Sequence, residues 1–324
     1  MRDKVLVTGG SGFIGTNVIQ ALLDTNTPVL NLSPHTPMIP GHRDLHHPGD
    51  VADLDTVTDV FGKFDPSVVI HLAARTEART ANYPGEYAIN FQGAETLCRV
   101  LASSTSVRTT VFTSSMVLAW PGTPQSSSYA HSKARMEQVV EEAAPMLRCA
   151  SCIVRPVSTW GPYFRTPFRE FFEAIARGRY WHPGPGTVPK RFGYVGNTAY
   201  QLLRLISAKP SQVDRRRFFL GDYESLTIER WANLISRSFR VKPPRMLPVS
   251  LVGVLAKAGD LFEASRIGKA PLTSRRLENM RTDTSIFPIE EIRSVAGPLP
   301  YTLEEGVEET VRWLRSTKDV RTLS

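Results

Sequence analysis

Short apolar runs alternate with longer amphipathic stretches from residue 4 to about residue 160. Candidate strands fall at 4–8, 28–32, 44–48, 67–72, 109–114 and 150–156, and helical periodicity occupies 13–24, 53–62, 87–104 and 129–145 between them. Runs such as Val68-Val69-Ile70 are apolar without alternation, the pattern of a parallel strand covered on both faces. This order predicts an α/β protein with a doubly wound parallel sheet, a Rossmann fold. Beyond residue 160 the pattern changes to proline and glycine turns, as in Trp181-His182-Pro183-Gly184-Pro185-Gly186, with amphipathic helices at 168–177, 197–207, 227–239 and 303–315. The last opens on Thr302-Leu303-Glu304-Glu305, whose hydroxyl and carboxylates suit a helix N-terminus, and it carries Val307, Val311 and Leu314 on one face. The expected organisation is a sheet domain over 1–160, a smaller mixed C-terminal lobe over 161–315 with room for some of its segments to return to the sheet, and a polar tail over 316–324.

Composition narrows the setting. Hydrophobic residues make up 41% and charged residues 22% of the 324, and mean hydropathy is −0.18, so an ordinary globular chain is expected. No apolar stretch reaches the roughly 20 residues that span a bilayer, and Met1-Arg2-Asp3-Lys4 leads into a strand without an apolar leader. A cytoplasmic protein without membrane insertion is the expectation. Three cysteines are too few for a disulfide framework; Cys149-x-x-Cys152 lies in an apolar run that reads as strand entry, and no second pair completes a metal site. No metal is expected.

The net charge of +8 and pI near 9.5 fit nucleic acid, an anionic membrane or an anionic small substrate. Arg215-Arg216-Arg217 and Arg275-Arg276 lack the interleaved aromatics of a single-strand binder. A phosphate-bearing substrate is therefore favoured over nucleic acid.

Two patterns carry chemistry. Strand 4–8 runs into Gly9-Gly10-Ser11-Gly12-Phe13-Ile14-Gly15, after which an apolar helix begins. Gly9 permits a tight turn, Gly12 admits a pyrophosphate to the backbone N–H groups of the helix start, and Gly15 lets helix pack on strand, so a dinucleotide is predicted. Dinucleotide folds commonly place an acid at the end of the second strand to hold the adenosine ribose; here that position is Ser33. NAD and NADP both remain open, NAD slightly preferred, with His35 and Arg43 as phosphate partners for NADP. Asp50, followed by Val51, either bonds the adenine amino group or caps a helix.

The second pattern is Tyr129-Ala130-His131-Ser132-Lys133, a phenol and an ammonium on one face at the head of a helix. A nearby positive charge lowers a phenol pKa, which suits Tyr129 as a general base toward a hydroxyl.

With Thr8 through Gly15, His71-Leu72-Ala73-Ala74, Asn90-Phe91-Gln92-Gly93, Phe112-Thr113-Ser114-Ser115, Tyr129-x-x-x-Lys133, Arg155-Pro156, Trp160-Gly161-Pro162, Tyr194-Val195-Gly196-Asn197 and Glu305-Gly306-Val307, the chain resembles the extended short-chain dehydrogenase/reductase superfamily, the NAD-dependent nucleotide-sugar epimerase and dehydratase group. The resemblance implies that Ser115 bonds the reacting oxygen and that Leu72, Ala73 and Ala74 line the cofactor groove. It implies that Asn90 supports the strand geometry beneath the groove and that Pro156 meets the nicotinamide end. Ser158 stands where the family keeps a substrate-side Asn. Lys190 or Arg191, and Arg276 beside Arg275, are candidates for the substrate diphosphate. The resemblance also suggests a homodimer through the helices at 87–104 and 129–145; Leu97, Val100, Leu101, Val139 and Val140 fit that interface or the chain's own core equally.

Departures restrict the reaction. Dehydratases of the group place Asp-Glu after the catalytic Ser or Thr, and this chain has Met116-Val117, so elimination lacks its proton carriers. The segment from Ser115 to Tyr129 is also short. Three readings follow: a C4 epimerase of a nucleotide diphosphate sugar, an NADPH-dependent reductase of a 4-keto nucleotide sugar or other bulky ketone, and a non-enzymatic dinucleotide sensor. The intact Ser115, Tyr129 and Lys133 argue against the sensor. In a steroid-type variant of the reductase, the helix around Leu251, Val252, Val254 and Leu255 lines the pocket; core packing explains it equally.

Overall fold

A computed structural model describes residues 3–76, 84–120, 127–184, 188–265, 270 and 272–317. Pro185, Gly186 and the tail beyond residue 317 therefore lie outside the described residues. In chain order the elements are β1 (Val5–Thr8), α1 (Phe13–Asp24), β2 (Val29–Ser33), β3 (His46–Pro48), α2 (Leu54–Phe64), β4 (Val68–His71), α3 (Ile89–Ser103), β5 (Thr109–Thr113), α4 (Ser128–Ala143), β6 (Ala150–Pro156) and β7 (Ser158–Trp160). They continue with α5 (Phe168–Ala176), β8 (Trp181–Pro183), β9 (Phe192–Tyr194), α6 (Val195–Ser207), α7 (Pro210–Val213), β10 (Arg217–Leu220), α8 (Ile228–Phe239), β11 (Arg245–Leu247), α9 (Val249–Ala264), α10 (Ser274–Arg281), α11 (Glu290–Ala296) and α12 (Leu303–Ser316).

Two compact units result. The first comprises 1–159, 193–222 and 288–301, so two later segments rejoin the N-terminal domain. Its sheet has seven strands in the order β10-β6-β5-β4-β1-β2-β3, all parallel, with β4 central and β1 beside it. Strand order reverses at β1, and in such sheets the crevice at the carboxyl ends of the strands flanking that point receives the ligand. Leu6, Leu32, Val69, Phe112 and Ile153 meet Val57, Leu97, Leu101, Met136 and Val140 of α2, α3 and α4 in one core layer. Helix α6 packs with α1 and α11. The strand expected at 44–48 is shorter: Pro40–Leu45 forms a 3-10 turn begun by Pro40, and only His46–Pro48 pairs with β2.

The second unit comprises 160–192, 223–287 and 302–324. Its core is aromatic: Trp231 of α8 lies 4.7 Å from Phe192, 5.2 Å from Trp160 and 5.2 Å from Phe171, between ring centroids. Helices α5 and α12 pack against α8, and α12 starts with the predicted capping box between Thr302 and Glu305. Strands β8 and β11 form a two-stranded parallel ribbon, and α9 lies along α10. Of the four apolar residues expected to line a pocket or a core on α9, only Val252 is buried; Leu251, Val254 and Leu255 are exposed.

Candidate active site

The glycine turn is a backbone cradle. Gly9 has a φ of 71°, and a Cβ there would stand 2.6 Å from the Ala73 backbone that follows β4. A Cβ on Gly15 would stand 2.5 Å from the Gly9 carbonyl, and one on Gly10 would meet the Asn31 amide of β2 at 2.4 Å. That Asn31 amide donates to Ser11 Oγ at 3.0 Å, so the loop is tied to the neighbouring strand. Helix α1 begins at Gly12 without a side-chain cap, as do α3, α5, α6, α9 and α11, whereas α2, α4, α8, α10 and α12 are capped by Asp53, Ser127, Thr227, Thr273 and Thr302. A helix start at the end of β1 fits a pyrophosphate, because the dipole and the N–H groups of a first helical turn favour an anion there.

The adenosine side is less committed. Ser33 is buried at the end of β2, its hydroxyl accepting from His35 N at 3.3 Å and its carbonyl meeting His46 Nε2 at 2.8 Å. His35 and Arg43 are exposed. Asp50 is exposed and accepts from Ala52 N at 2.9 Å, which makes it a turn cap; the cap of α2 is Asp53. Val51 is buried in the core layer against Gly93, where an added Cβ would lie 2.7 Å from Val51 Cγ1.

At the carboxyl end of β5 the catalytic candidates converge. Lys133 is buried and donates to the Thr113 carbonyl at 2.8 Å; burial pulls its ammonium down to about 8, opposed by Glu137 one turn along α4. Tyr129 is hydrogen-bonded to the Ser115 hydroxyl, which favours the phenolate. Burial outweighs that bond and holds the phenol above its ordinary value. The expectation that Lys133 lowers the phenol pKa is therefore corrected: with its ammonium turned to Thr113 it is not among the influences on Tyr129. Thr113 Oγ1 and Ser114 Oγ are buried without a hydrogen-bond partner, which leaves polar atoms for a ligand beside the same strand end.

A clamp orients this helix turn. Asn90 accepts from Arg75 N at 2.7 Å and donates to Arg75 O at 3.0 Å and Ser132 Oγ at 2.9 Å, and Ser132 Oγ donates to Tyr129 O at 2.8 Å. Asn90 thus joins the loop after β4, with half-buried Leu72 and Ala73 and exposed Ala74, to the first turn of α4. Below it, Arg155 donates from Nε and Nη2 to the two Glu137 carboxylate oxygens at 2.8 and 2.7 Å. Pro156, the residue after Arg155, is buried at the end of β6, and Ser158 lies 3.9 Å from Met116 Sδ.

The substrate-side cations have intrachain roles. Lys190 is buried and donates to the carbonyls of Asn279 and Thr282, Arg191 to those of Tyr223 and Ser285, and Arg276 to that of Ala270. Each ties a loop of the second unit. Of the two readings open for them, Leu97, Leu101, Val139 and Val140 take the core one, buried in the first unit; Val100 is half-buried beside them. The three cysteines are free, and burial raises the thiols of Cys149 and Cys152, so the pair is strand filling. Among the described residues no cluster could hold a metal ion.

Sequence reasoning gave no role to His71, Ser132, Asn31 or the Glu137–Arg155 pair. His71 ends β4 opposite Thr8 of β1, and its Nδ1 is 2.7 Å from the Thr8 hydroxyl. Burial beside Lys133 lowers it to about 3, so its imidazole is neutral near physiological pH. Only the four-residue step from Lys133 to Glu137 was a visible signal, since the other contacts are long-range.

The sequence profile of the NAD dependent epimerase/dehydratase family matches residues 5–221. The chain is 26% identical over 331 residues to an N-acetyl-alpha-D-glucosaminyl-diphospho-ditrans,octacis-undecaprenol 4-epimerase of Escherichia coli O157:H7, covering 97% of this chain and 96% of that protein. It is 31% identical over 327 residues to a ceramide reductase of Caulobacter vibrioides, covering 97% and 95%. The crystal structure of the Thermus thermophilus UDP-glucose 4-epimerase in complex with NAD superposes with a TM-score of 0.70 at 19% identity, over 97% of this chain and 99% of that one. That likeness concerns the fold. Because the matched span takes in every strand of the seven-stranded sheet, the chain belongs to the NAD dependent epimerase/dehydratase family, as a dinucleotide-dependent enzyme of the extended short-chain dehydrogenase/reductase type.

Proposed function

We propose that this protein is an NAD-dependent epimerase that inverts C4 of a nucleotide diphosphate sugar through a transient 4-keto sugar. The observation that carries the reading is the Tyr129–Ser115 hydrogen bond one helical turn from a buried Lys133, with Met116 and Val117 where elimination would need acids. Ser115 holds the reacting oxygen. Tyr129 accepts the hydroxyl proton as C4 is oxidised and returns it when C4 is reduced. NAD, when bound beside the glycine turn, would supply the hydride acceptor and donor for C4. Lys133, charged below about pH 8 and anchored on the Thr113 carbonyl, supplies a donor for the nicotinamide ribose. Two relatives that align along nearly the whole chain are 4-epimerases, one acting on a sugar joined to a polyprenol through a diphosphate and one on UDP-glucuronate.

A second reading, a reductase of a bulky ketone, is favoured by Ser33 in place of a ribose-binding acid and by the 31% identity to a ceramide reductase. The same trio then protonates a carbonyl oxygen once per turnover. The separating experiment identifies, by mass spectrometry, the nucleotide released from denatured protein. It then incubates the protein with UDP-glucose and UDP-N-acetylglucosamine while following reduced nicotinamide by absorbance. Retained NAD and a C4 epimer without net absorbance change is the expected result; NADPH consumed in step with a ketone, and no epimer, overturns it.

A further inference from the structure

Helix α9 of the second unit presents the wrong face to water for an ordinary surface helix. Its inner side, Val252 and Ala256, packs on Leu277 of α10 with Leu247 and Leu272. Its outer side carries Leu251, Val254, Leu255, Leu261 and Phe262, exposed by 49%, 65%, 44%, 75% and 42%. These positions recur at intervals of three, four and seven residues, with exposed Ala258 between Leu255 and Leu261, so they lie along one apolar stripe of the helix, distinct from its buried seam. The β8–β11 ribbon that leads into α9 adds exposed Trp181 and Met246, with the Arg245 guanidinium 5.6 Å from the Trp181 ring centroid. Scattered exposed apolar residues need no explanation, but a contiguous stripe of this kind marks an interaction surface.

Charge says what covers it. The stretch 240–281, which contains α9, holds nine Lys or Arg and three Asp or Glu, an excess of six positive charges within a chain whose net charge is +8. Lys257 borders the stripe and is exposed, as are Arg245 of β11 and Arg275 and Arg281 of α10. The two acids of α9 are engaged elsewhere: Asp260 accepts from Ser274 N at 2.9 Å and Glu263 from Ala270 N at 3.0 Å. Two copies of this chain meeting symmetrically through the stripe would oppose the same cations across the interface. An anionic surface with an apolar interior satisfies both halves of the pattern.

We propose that α9 is a peripheral membrane-docking element, seating its apolar stripe in the headgroup–acyl boundary of an anionic lipid bilayer while Lys257, Arg245, Arg275 and Arg281 meet lipid phosphates. The element lies on the surface and does not span: no helix among the described residues is long and apolar enough to cross a membrane. Tryptophan with an arginine at its face is a pairing suited to that boundary, where an amphipathic ring has one wet and one apolar side. The inference does not depend on which reaction Tyr129 serves.

The test is flotation of the purified full-length protein with vesicles of phosphatidylcholine alone and of phosphatidylcholine mixed with phosphatidylglycerol. Binding to the mixed vesicles, at least about tenfold weaker on neutral ones and weakened by salt, is expected. Val254→Asp with Leu261→Asp, both at exposed positions, is expected to lower mixed-vesicle binding by about tenfold or more, with the melting temperature and retained nucleotide unchanged. Lys257→Glu with Arg275→Glu is expected to abolish the preference for anionic lipid. The proposal is overturned if the wild-type protein ignores both vesicles, or if the aspartate pair binds as well as wild type. It is equally overturned if sedimentation shows a wild-type dimer that the aspartate pair converts to monomer, since a second copy then covers the stripe.

Discussion

The two units bury their polar and charged groups for different ends. In the sheet unit three titratable groups beside the strand ends are displaced from their ordinary proton affinities: His71 down to about 3, Lys133 down to about 8, and the Tyr129 phenol upward. In the second unit, Arg191 is buried too, yet it donates to Tyr223 O at 2.8 Å and Ser285 O at 2.9 Å and holds loops together. Apolar strands form the scaffold of the first unit, whereas rings packed on Trp231 form that of the second. Lys133 and Lys190 are both buried, both lowered to about 8 and both donate to backbone carbonyls, so burial and partner do not separate them; Lys133 differs in standing one helical turn from Tyr129, whereas Lys190 joins loops.

Stability effects can break this contrast, the largest coming from the aromatic core. Trp231→Ala removes the ring that Trp160, Phe171 and Phe192 share, and a loss of about 3–5 kcal/mol in urea unfolding is expected. A loss under about 1 kcal/mol would mean that the rings do not organise the unit. Next is Gly9→Ala, whose Cβ would stand 2.6 Å from the Ala73 backbone at a φ of 71°. It is expected to cost about 2–3 kcal/mol and to lose retained nucleotide. Gly41→Ala, where an added Cβ meets nothing within 4 Å, should stay within about 0.5 kcal/mol and is the control.

A separate effect is read from pH, and its size grows with the distance below pH 6.5. His71 is neutral in the fold down to about pH 3 but takes a proton near 6.5 when the chain unfolds. Between those values the unfolded state binds more protons, so stability falls as pH falls, by up to about 1.4 kcal/mol per unit. Urea midpoints of wild type and His71→Gln across that window measure it; parallel curves would contradict a buried neutral imidazole. Thr302→Ala is the mildest, about 1 kcal/mol from the α12 capping box, seen as a small drop in melting temperature.

The sheet unit was largely legible in the sequence because its constraints are local. Apolar runs marked β1, β2, β4, β5 and β6, and three glycines at fixed spacing marked the turn that backbone proximity to Ala73 enforces. Tyr129 and Lys133 share a helix face by spacing alone. What stayed hidden is long-range: Asn90 bridging Arg75 to Ser132, Thr8 facing His71, and which segments, 193–222 and 288–301, return to the first unit. Lys190, Arg191 and Arg276 read as phosphate ligands because sequence shows a charge and not the carbonyls that receive it. Helix α9 misled in the opposite sense, since an apolar residue in sequence carries no sign of whether it faces inward.

The central claim is that the Tyr129 phenol, bonded to Ser115 beside buried Lys133, moves the proton in this enzyme's redox step. The direct measurement is turnover of the substrate found in the epimer assay by Tyr129→Phe, with released nucleotide and melting temperature measured on the same preparation. A fall of about 10²–10⁴ in turnover, with nucleotide still retained and melting unchanged, is the predicted result. Unchanged turnover by the phenylalanine variant would contradict the account.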